Sequence, residues 1–478
     1  MLRTKTAIAL NRFGLGARPG DAGRIGDDHE GWLEEQLGSA TGNPSTGERP
    51  QSAIVLAEVN ELRLTREVIR SVASNEPIEA DEDAIREFAR YIAQSYQRQA
   101  AAGYVEAIAT AQPFRERLVQ FWENHFAISA DKQPVGAIAA LYRDEAIRPR
   151  VTGNFRDLLT AVVRHPAMLL YLDNGQSIGP GSLIGSRAAR ARNRQIGLNE
   201  NLAREILELH TLGVDGGYMQ TDVIELSKAL TGWSVGATGT ADRMGALARR
   251  LTGTADAGAP GEFTFRAGLH EPGTKTVLGR RFREGGVDEA ESVLAYLAGR
   301  PETARFLATK LARHFVTDDP PAALVVRLAE TYLDADGELL PVYRELIRAQ
   351  ESWIEPLAKY KTPQDYLISA FRALGTQPSG TQVVGLATQL GQRPLTPGSP
   401  AGWPDIAAHW NGGDALLKRI EWATQVGAGI GDRIDAAERL DEVLGETASE
   451  VTRRGIARAE SGAQAIALLL SAPEFQRR

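Results

Sequence analysis

The densest regularly spaced cluster of ionisable side chains lies between residues 199 and 213. If this segment is helical, at about 100° per residue, Arg204, Glu205 and Glu208 share one face. Two carboxylates one turn apart can bind a divalent cation, or can divide the roles of general acid and general base. We therefore treat Glu205 and Glu208 as candidate catalytic residues, with Arg204 beside them.

The same segment also fits a purely structural interpretation. Glu200 lies four residues before Arg204, a spacing at which two side chains form a weak ion pair on a solvated helix face. His210 falls on the opposite, apolar face, where a histidine is typical of a core position. Asn199 can cap the start of the helix and Gly213 can end it. Both interpretations fit the sequence.

A second histidine of interest, His125, lies in a strongly amphipathic segment, residues 114–127. Phe114, Leu118 and Phe121 precede it at helical spacing and fall on the same face as His125. The pattern predicts a helix that directs His125 toward an apolar core. There it would be either a metal ligand or a histidine bonded to a backbone carbonyl or a carboxylate.

Residues 262–282 carry the clearest strand pattern in the chain. Two short alternating runs flank a Glu-Pro-Gly sequence, which predicts a β-hairpin with its turn at that point. His270 and Lys275 then lie on either side of the tip. A loop histidine is available as a metal ligand or general base, and Lys275 can neutralise negative charge. An ordinary exposed turn is the alternative.

A shared metal site would bring these separate segments together. Imidazole nitrogens and carboxylate oxygens suit a hard or borderline divalent cation, which supports metal-assisted hydrolysis or a lyase step. The candidate metal ligands are His125, Glu200, Glu205, Glu208, His210 and His270. The candidate catalytic residues are Glu205, Glu208, His270, Lys275 and Arg204. Haem ligation by His125 or His210 is a further hypothesis, although no attachment motif accompanies it.

Composition narrows the chemistry and the partners. The 478 residues include no cysteine, which excludes thiol nucleophiles, thiolate metal sites and disulfides. The net charge of −7 argues against a broad nucleic-acid surface, which would carry a basic stripe.

No run of about 18 apolar residues occurs, so no membrane span is predicted. We expect a cytoplasmic protein, because no signal-peptide pattern begins the chain; export with a signal-bearing partner stays open.

The elements that must position these residues are nearly all helical in pattern. Apolar residues recur at helical spacing along most of the chain, and 262–282 is the one segment with a strand pattern. We therefore predict a mainly α fold, a large multi-helix assembly with one small β-hairpin inserted near 262–282. A main helical domain over 1–350 is expected to carry the candidate site, followed by a C-terminal helical subdomain over 351–478.

A family resemblance runs through nearly the whole chain. It is strongest in residues 199–233, which read NENLAREILELHTLGVDGGYMQTDVIELSKALTGW. Other matching segments follow the same order: RFGLGARPGD (12–21), RERLVQFWENHFAIS (115–129), GNFRDLLTAVVRHPAMLLYLDN (153–174), LHEPGTKTVLG (269–279), FLATKLARHFVTDDPP (306–321) and PAGWPDIAAHW (400–410). These segments resemble a large bacterial family called domain of unknown function eighteen hundred.

The resemblance implies a second kind of function. Members of this family are often encoded beside a second uncharacterised family, whose fold resembles alkaline phosphatases and sulfatases. The chain is therefore expected to act either as an enzyme or as a non-enzymatic partner or assembly factor for a phosphatase- or sulfatase-like neighbour. The resemblance draws attention to the helix at 199–213, but it supplies no reaction.

Overall fold

Helices form most of the chain in the computed structural model, which describes residues 2–38, 50–72, 79–192, 197–236, 258–354 and 357–478. Before the strands come α1 (Thr4–Ile8), α2 (Asp21–Ile25), α3 (His29–Gly38), α4 (Ser52–Val72), α5 (Glu79–Ala109), α6 (Pro113–His125), α7 (Ala139–Tyr142), α8 (Phe155–Arg164), α9 (Pro166–Tyr171), α10 (Leu183–Arg192), α11 (Asn201–Glu205) and α12 (Gln220–Leu230). After them come α13 (Val287–Ala298), α14 (Pro301–Phe315), α15 (Ala322–Asp334), α16 (Leu339–Arg348), α17 (Pro363–Leu374), α18 (Gly380–Gln389), α19 (Gly413–Ile430), α20 (Ala436–Val443), α21 (Glu450–Ala457) and α22 (Gly462–Ser471). The predicted mainly α fold is confirmed. None of the helices in these described ranges is long and apolar enough to cross a membrane.

The strands form two small antiparallel pairs. β1 (Trp233–Val235) pairs with β2 (Phe263–Phe265), and β3 (Lys275–Val277) pairs with β4 (Arg280–Phe282). The hairpin predicted near 262–282 is therefore present as β3 and β4, but its turn lies at Leu278 and Gly279. Both of these residues have a positive φ, +48° and +75°, as a tight two-residue hairpin turn requires.

Segment 199–213 forms the predicted helix, but its second half is wider than an α-helix. Asn199 accepts a hydrogen bond from the backbone N–H of Asn201 over 3.0 Å, at the start of α11. A π-helical turn, Ile206–Thr211, continues α11 directly. Gly213, with φ of +84°, follows the helix end in the left-handed conformation that favours glycine. The end predicted at Gly213 is thus confirmed, whereas the helix begins one residue later than predicted, with Glu200 and not Asn199 at the N-cap.

Buried apolar side chains form two clusters. The first gathers side chains between residues 8 and 357. The second joins the helices from α17 to α22 with side chains between residues 2 and 25 and with the second half of α5. The C-terminal helices therefore share their core with the start of the chain, while the predicted division between residues 350 and 351 stays a prediction.

Candidate functional site

The polar face of segment 199–213 is partly exposed. Nη2 of Arg204 lies 3.1 Å from Oε2 of Glu200, and the side-chain amide of Gln220 donates to the same oxygen over 2.7 Å. Glu200 and Arg204 thus form the i,i+4 ion pair of the structural interpretation. Such pairs contribute only a few tenths of a kcal/mol, roughly 0.3–0.5.

Glu205 and Glu208 are neighbours on this face, and both are half-buried. Burial and the charge of Glu208 raise the pKa of Glu205, while Arg204 acts in the opposite direction. The pKa of Tyr218 is also raised, by burial and then by Glu208, to which its hydroxyl is hydrogen-bonded. The two carboxylates that the spacing placed together therefore do interact.

His125 and His210 are neighbours in the core. Nε2 of His125 lies 3.1 Å from the carbonyl oxygen of His210, and the two ring centroids are 6.2 Å apart. Both residues are at most 1% exposed, as their apolar faces predicted. Burial lowers the pKa of His210 to about 3 and that of His125 well below its ordinary value, so both rings are neutral at neutral pH.

The loop expected to expose His270 is folded onto α13, because β2 pairs with β1 instead of with β3. The His270 ring lies between two acceptors: Nδ1 is 2.8 Å from the carbonyl oxygen of Thr231, and Nε2 is 2.9 Å from Oε2 of Glu289. Nζ of Lys275 lies 3.0 Å from the same oxygen of Glu289. His270, Lys275 and Glu289 are all buried, and the His270 ring and the Lys275 ammonium group share one carboxylate oxygen of Glu289, so they form a buried polar cluster and not an exposed hairpin tip.

The predicted site residues therefore fall into separate local environments. His125 lies beside His210, Glu205 beside Glu208, and His270 beside Lys275. Over the described ranges, no group of three or more histidine, aspartate and glutamate side chains is placed to hold a metal ion. The divalent cation thus has no ligand set among these residues and stays a prediction.

A different set of polar residues meets in a cavity of about 110 Å³. Its walls come from α5, α6, α14 and α17 and from the loop of residues 392–405, so it lies where the two apolar clusters meet. The lining residues whose side chains can hydrogen-bond a ligand or exchange a proton with it are Tyr104, Glu123, Asn124, His314, Asp365 and Asp405. Helix ends and a loop converge here, which is an arrangement typical of small-molecule sites.

His314, at the C-terminal end of α14, is oriented by Asp405. Nδ1 of His314 lies 2.8 Å from Oδ2 of Asp405, and since a carboxylate only accepts, the proton is on Nδ1. Nε2 then carries a lone pair, and it is buried without a hydrogen-bond partner among the described residues. Burial lowers the pKa of His314 to about 4, although Asp405 acts in the opposite direction. The ring is therefore a neutral base at neutral pH.

Cations keep Asp405 ionised. Nζ of Lys359 lies 3.3 Å from Oδ1 of Asp405, and Nη2 of Arg478 lies 3.6 Å from the same oxygen. Burial acts to raise the pKa of Asp405, but His314, Lys359 and Arg478 bring it well below its usual range. Arg478 also donates to the carbonyl oxygen of His314 over 2.8 Å, so it contacts both members of the pair.

Asp365 anchors this network from α17. Its two carboxylate oxygens accept from Nη1 of Arg117 and from Nε of Arg478, each over 3.0 Å. All three side chains are almost completely buried. A buried carboxylate between two guanidinium groups is costly to rearrange, because any movement leaves a charge without a partner. Arg478 is therefore held in place on the side that faces Asp405.

Glu123 and Tyr104 complete the polar lining. Within the part of the chain that the structure describes, Oε1 of Glu123 and the hydroxyl of Tyr104 are both buried without a hydrogen-bond partner. Nη1 of Arg143 lies 3.7 Å from Oε1 of Glu123, which is too far for a hydrogen bond. Burial raises the pKa of Glu123, with Arg143 acting in the opposite direction, and burial also raises the pKa of Tyr104. The cavity thus combines a neutral imidazole with two groups that favour keeping their protons.

Asn124 fixes the loop that carries Asp405. Its side-chain amide donates to the carbonyl oxygen of Trp403 over 2.9 Å and accepts from the backbone N–H of Trp403 over 2.7 Å. Gly402 has φ of +83°, and a Cβ there would lie 2.3 Å from the carbonyl oxygen of Asn124. Only glycine fits this close approach, which places Asp405 three residues later.

The family model described as protein of unknown function, DUF1800, matches residues 8–477. The chain belongs to the DUF1800 family. The expected membership is thereby confirmed, and the DUF1800 match includes the whole cavity lining. No curated protein and no solved structure matches the chain. The partnership of this DUF1800 protein with a phosphatase- or sulfatase-like neighbour stays a prediction.

The local sequence patterns of this DUF1800 chain assign no chemistry to His314, Asp405 or Glu123. His314 follows Leu307 and Leu311 at helical spacing, which is typical of a core histidine. One signal was available: His314 and Asp405 lie in two of the segments that carry the family resemblance, FLATKLARHFVTDDPP and PAGWPDIAAHW. Nothing in the local pattern of either segment indicates that the two residues touch.

Proposed function

We propose that this DUF1800 protein is an acid–base enzyme of the hydrolase or lyase class, with His314 as its general base. One observation carries the proposal: Nδ1 of His314 is bonded to Asp405, while Nε2 of this cavity-lining residue has no hydrogen-bond partner in the described ranges. A histidine held in one tautomer by a carboxylate is a recurrent arrangement for proton abstraction.

The charges around His314 support this role. A general base must be unprotonated at working pH, and burial lowers the pKa of His314 to about 4. Asp405 stays ionised beside it, so the proton taken up at Nε2 during a reaction would be stabilised by the carboxylate at Nδ1. His314 would thus accept a proton from water in hydrolysis, or from a substrate C–H bond in an elimination.

Glu123 is the proposed general acid. Its pKa is raised by burial, which favours the protonated carboxyl, and no described residue forms a hydrogen bond with its Oε1. In either reaction a proton moves from substrate or water to Nε2 of His314, and the carboxyl of Glu123 returns one to the leaving group. Groups whose environments favour opposite protonation states are a useful guide to acid and base assignments.

The experiment compares substrate consumption by wild type and by His314→Gln. Each purified protein is incubated with a bacterial metabolite extract, and the loss of individual compounds is followed by mass spectrometry. We expect a compound that wild type consumes and that His314→Gln consumes roughly 100-fold more slowly or worse, the usual effect of losing a general base. Glutamine keeps a polar side chain at this position but cannot accept a proton at neutral pH.

The matched control is His409→Gln. His409 is exposed and lies four residues after Asp405. Its replacement makes the same histidine-to-glutamine change near the site without altering a residue that lines the cavity. It is expected to retain the wild-type rate. Undiminished consumption of the same compound by His314→Gln would contradict the proposal.

The divalent cation predicted from the sequence has a separate test. Metal content is measured in purified wild type and in Glu205→Gln and Glu208→Gln. Burial and then the charge of Glu208 raise the pKa of Glu205, and a cation bound between the two carboxylates would relieve their repulsion. A bound metal that both variants lose would support this; equal metal content in all three proteins would count heavily against it.

A further inference from the structure

The unpartnered atoms of the cavity define what a ligand must offer. Tyr104 presents a hydroxyl donor, Glu123 presents an oxygen of a carboxyl whose pKa is raised, and Nε2 of His314 presents an acceptor. Leaving a buried polar group without a hydrogen bond destabilises the protein, so each of these atoms favours a ligand that forms the missing hydrogen bond. The complementary molecule carries at least one hydroxyl hydrogen and one or more acceptor oxygens.

Apart from Glu123, whose raised pKa favours its protonated form, the charged groups that line the cavity are already paired with residues outside its lining. Arg143, the one arginine or lysine among the described lining residues, donates to Asp144 over 3.0 Å. Asp365 is held by two arginines, and Asp405 is contacted by Lys359 and Arg478. A charged ligand would lose its hydration without meeting, among the described lining residues, a fixed opposite charge that is free to pair, which is unfavourable in a buried site.

The volume limits the size of the ligand. The cavity measures about 110 Å³. For comparison, an engineered cavity of about 150 Å³ in another protein holds benzene, which has six non-hydrogen atoms. A molecule of about six non-hydrogen atoms or fewer therefore suits the cavity between Glu123 and His314.

We propose that this cavity binds a small, uncharged, hydroxyl-bearing molecule of about six non-hydrogen atoms or fewer. The ligand hydroxyl donates to Nε2 of His314, and its oxygens accept from Tyr104 and from the carboxyl of Glu123. The inference rests on the proposed function for the location of the site, and it adds the chemical class of the substrate. It concerns binding, which can be measured without any turnover.

The test uses three probes that share one carbon skeleton: propylene glycol, lactate and isopropanolamine. They are uncharged, anionic and cationic at neutral pH. Binding to the full chain is measured by saturation-transfer NMR, up to roughly 100 mM because ligands this small make few contacts. We expect saturable binding of propylene glycol, at least about tenfold tighter than either ion, because each ion must lose hydration on entry.

Variants then locate the bound probe. Tyr104→Phe removes one donor and is expected to weaken propylene glycol binding about fivefold, the usual effect of one hydrogen bond. Glu123→Gln keeps a donor and should bind nearly as wild type, whereas Glu123→Leu should weaken binding about as much as Tyr104→Phe. Tyr91→Phe is the control, because Tyr91 lies on α5 too but bonds Glu58 and does not line the cavity.

Several results would overturn the inference: tighter binding of lactate or isopropanolamine, no binding of any probe, or unchanged binding in Tyr104→Phe. These results differ from a failure of the proposed function. If propylene glycol binds as expected while His314→Gln retains full turnover, the acid–base role of His314 is wrong, but the proposed class of ligand is supported. If turnover depends on His314 but only charged compounds are consumed, the binding class fails alone.

Discussion

Nδ1 of His314 lies 2.8 Å from Oδ2 of Asp405, although 91 residues separate the two along the chain. This contact joins the end of α14 to the loop that Asn124 holds in place. It selects one tautomer of His314 and leaves Nε2 as the acceptor. The contact decides whether the cavity contains a base, and it can be tested directly.

Asp405→Asn is expected to reverse the tautomer of His314. An amide nitrogen can donate to Nδ1, which would move the ring proton to Nε2 and remove the acceptor from the cavity. Nitrogen-15 NMR of the histidine ring at neutral pH should record this change. Any His314-dependent turnover should fall roughly 100-fold or more.

Asp318→Asn is the control for that change. Asp318 also accepts from Lys359, but it is not bonded to His314, so its replacement alters the charge near the site without altering the tautomer. The NMR spectrum of His314 should stay as in wild type. An unchanged ring-proton position in Asp405→Asn would show that Asp405 does not set the tautomer.

His210 should make the protein less stable in mild acid. Its pKa falls from an ordinary 6.5 to about 3 on folding, because it is buried. As the pH falls, the unfolded chain therefore binds a proton at this histidine before the folded protein does. The contribution of His210 to the free energy of unfolding is complete above pH 6.5 and is lost as the pH falls toward 3. At about 1.4 kcal/mol per pH unit, wild type should lose up to about 2 kcal/mol between pH 6.5 and 5 through this residue.

The variant His210→Leu removes that titration and keeps the site apolar. Urea unfolding at pH 7 and pH 5 should show a smaller acid-induced loss of unfolding free energy than in wild type. His409→Leu, at an exposed position, should show the same acid-induced loss of unfolding free energy as wild type. Equal losses in His210→Leu and wild type would mean that His210 is not a buried neutral histidine.

Gly402→Ala should disturb the loop that carries Asp405. An alanine would have to adopt φ of +83° with its Cβ 2.3 Å from the carbonyl oxygen of Asn124. We expect a loss of about 1–3 kcal/mol in unfolding free energy, measured by thermal or urea unfolding. The fluorescence of the neighbouring Trp403 should also change.

Gly398→Ala provides the comparison for this substitution. Gly398 lies in the same loop, and an added Cβ there meets no atom within 4 Å. Its unfolding free energy and fluorescence should match those of wild type within about 0.5 kcal/mol. Similar losses in both variants would indicate a general effect of alanine in the loop instead of the close approach at Gly402.

Glu289→Leu should destabilise the protein strongly. It leaves His270 and Lys275 buried without their shared carboxylate, and breaking such a cluster costs about 3–5 kcal/mol. Adding Lys275→Met to the same protein removes the unpaired ammonium charge and should recover part of the lost unfolding free energy. Asp288→Asn, at an exposed position on α13, should cost less than about 1 kcal/mol. Urea unfolding of the three variants measures these differences.

Local patterns in the sequence determined the helices and the faces that they bury. The spacing of apolar residues placed His125 and His210 in the core, and it brought Glu200 to Arg204 and Glu205 to Glu208. Gly213 marked the end of their helix, and Asn199 lies one residue before its N-cap, Glu200. These features depend on residues within a few turns of one another, and helix geometry repeats in every turn.

Only the tertiary structure decided which chemical groups meet. The pairing of β2 with β1 buried His270 against Glu289, and the loop at 392–405 brought Asp405 to His314 and toward Glu123. No period in the sequence encodes such contacts, since they follow from how helices far apart in the chain pack together. The protonation of His314 depends on that packing as well, because burial and the surrounding charges set its pKa.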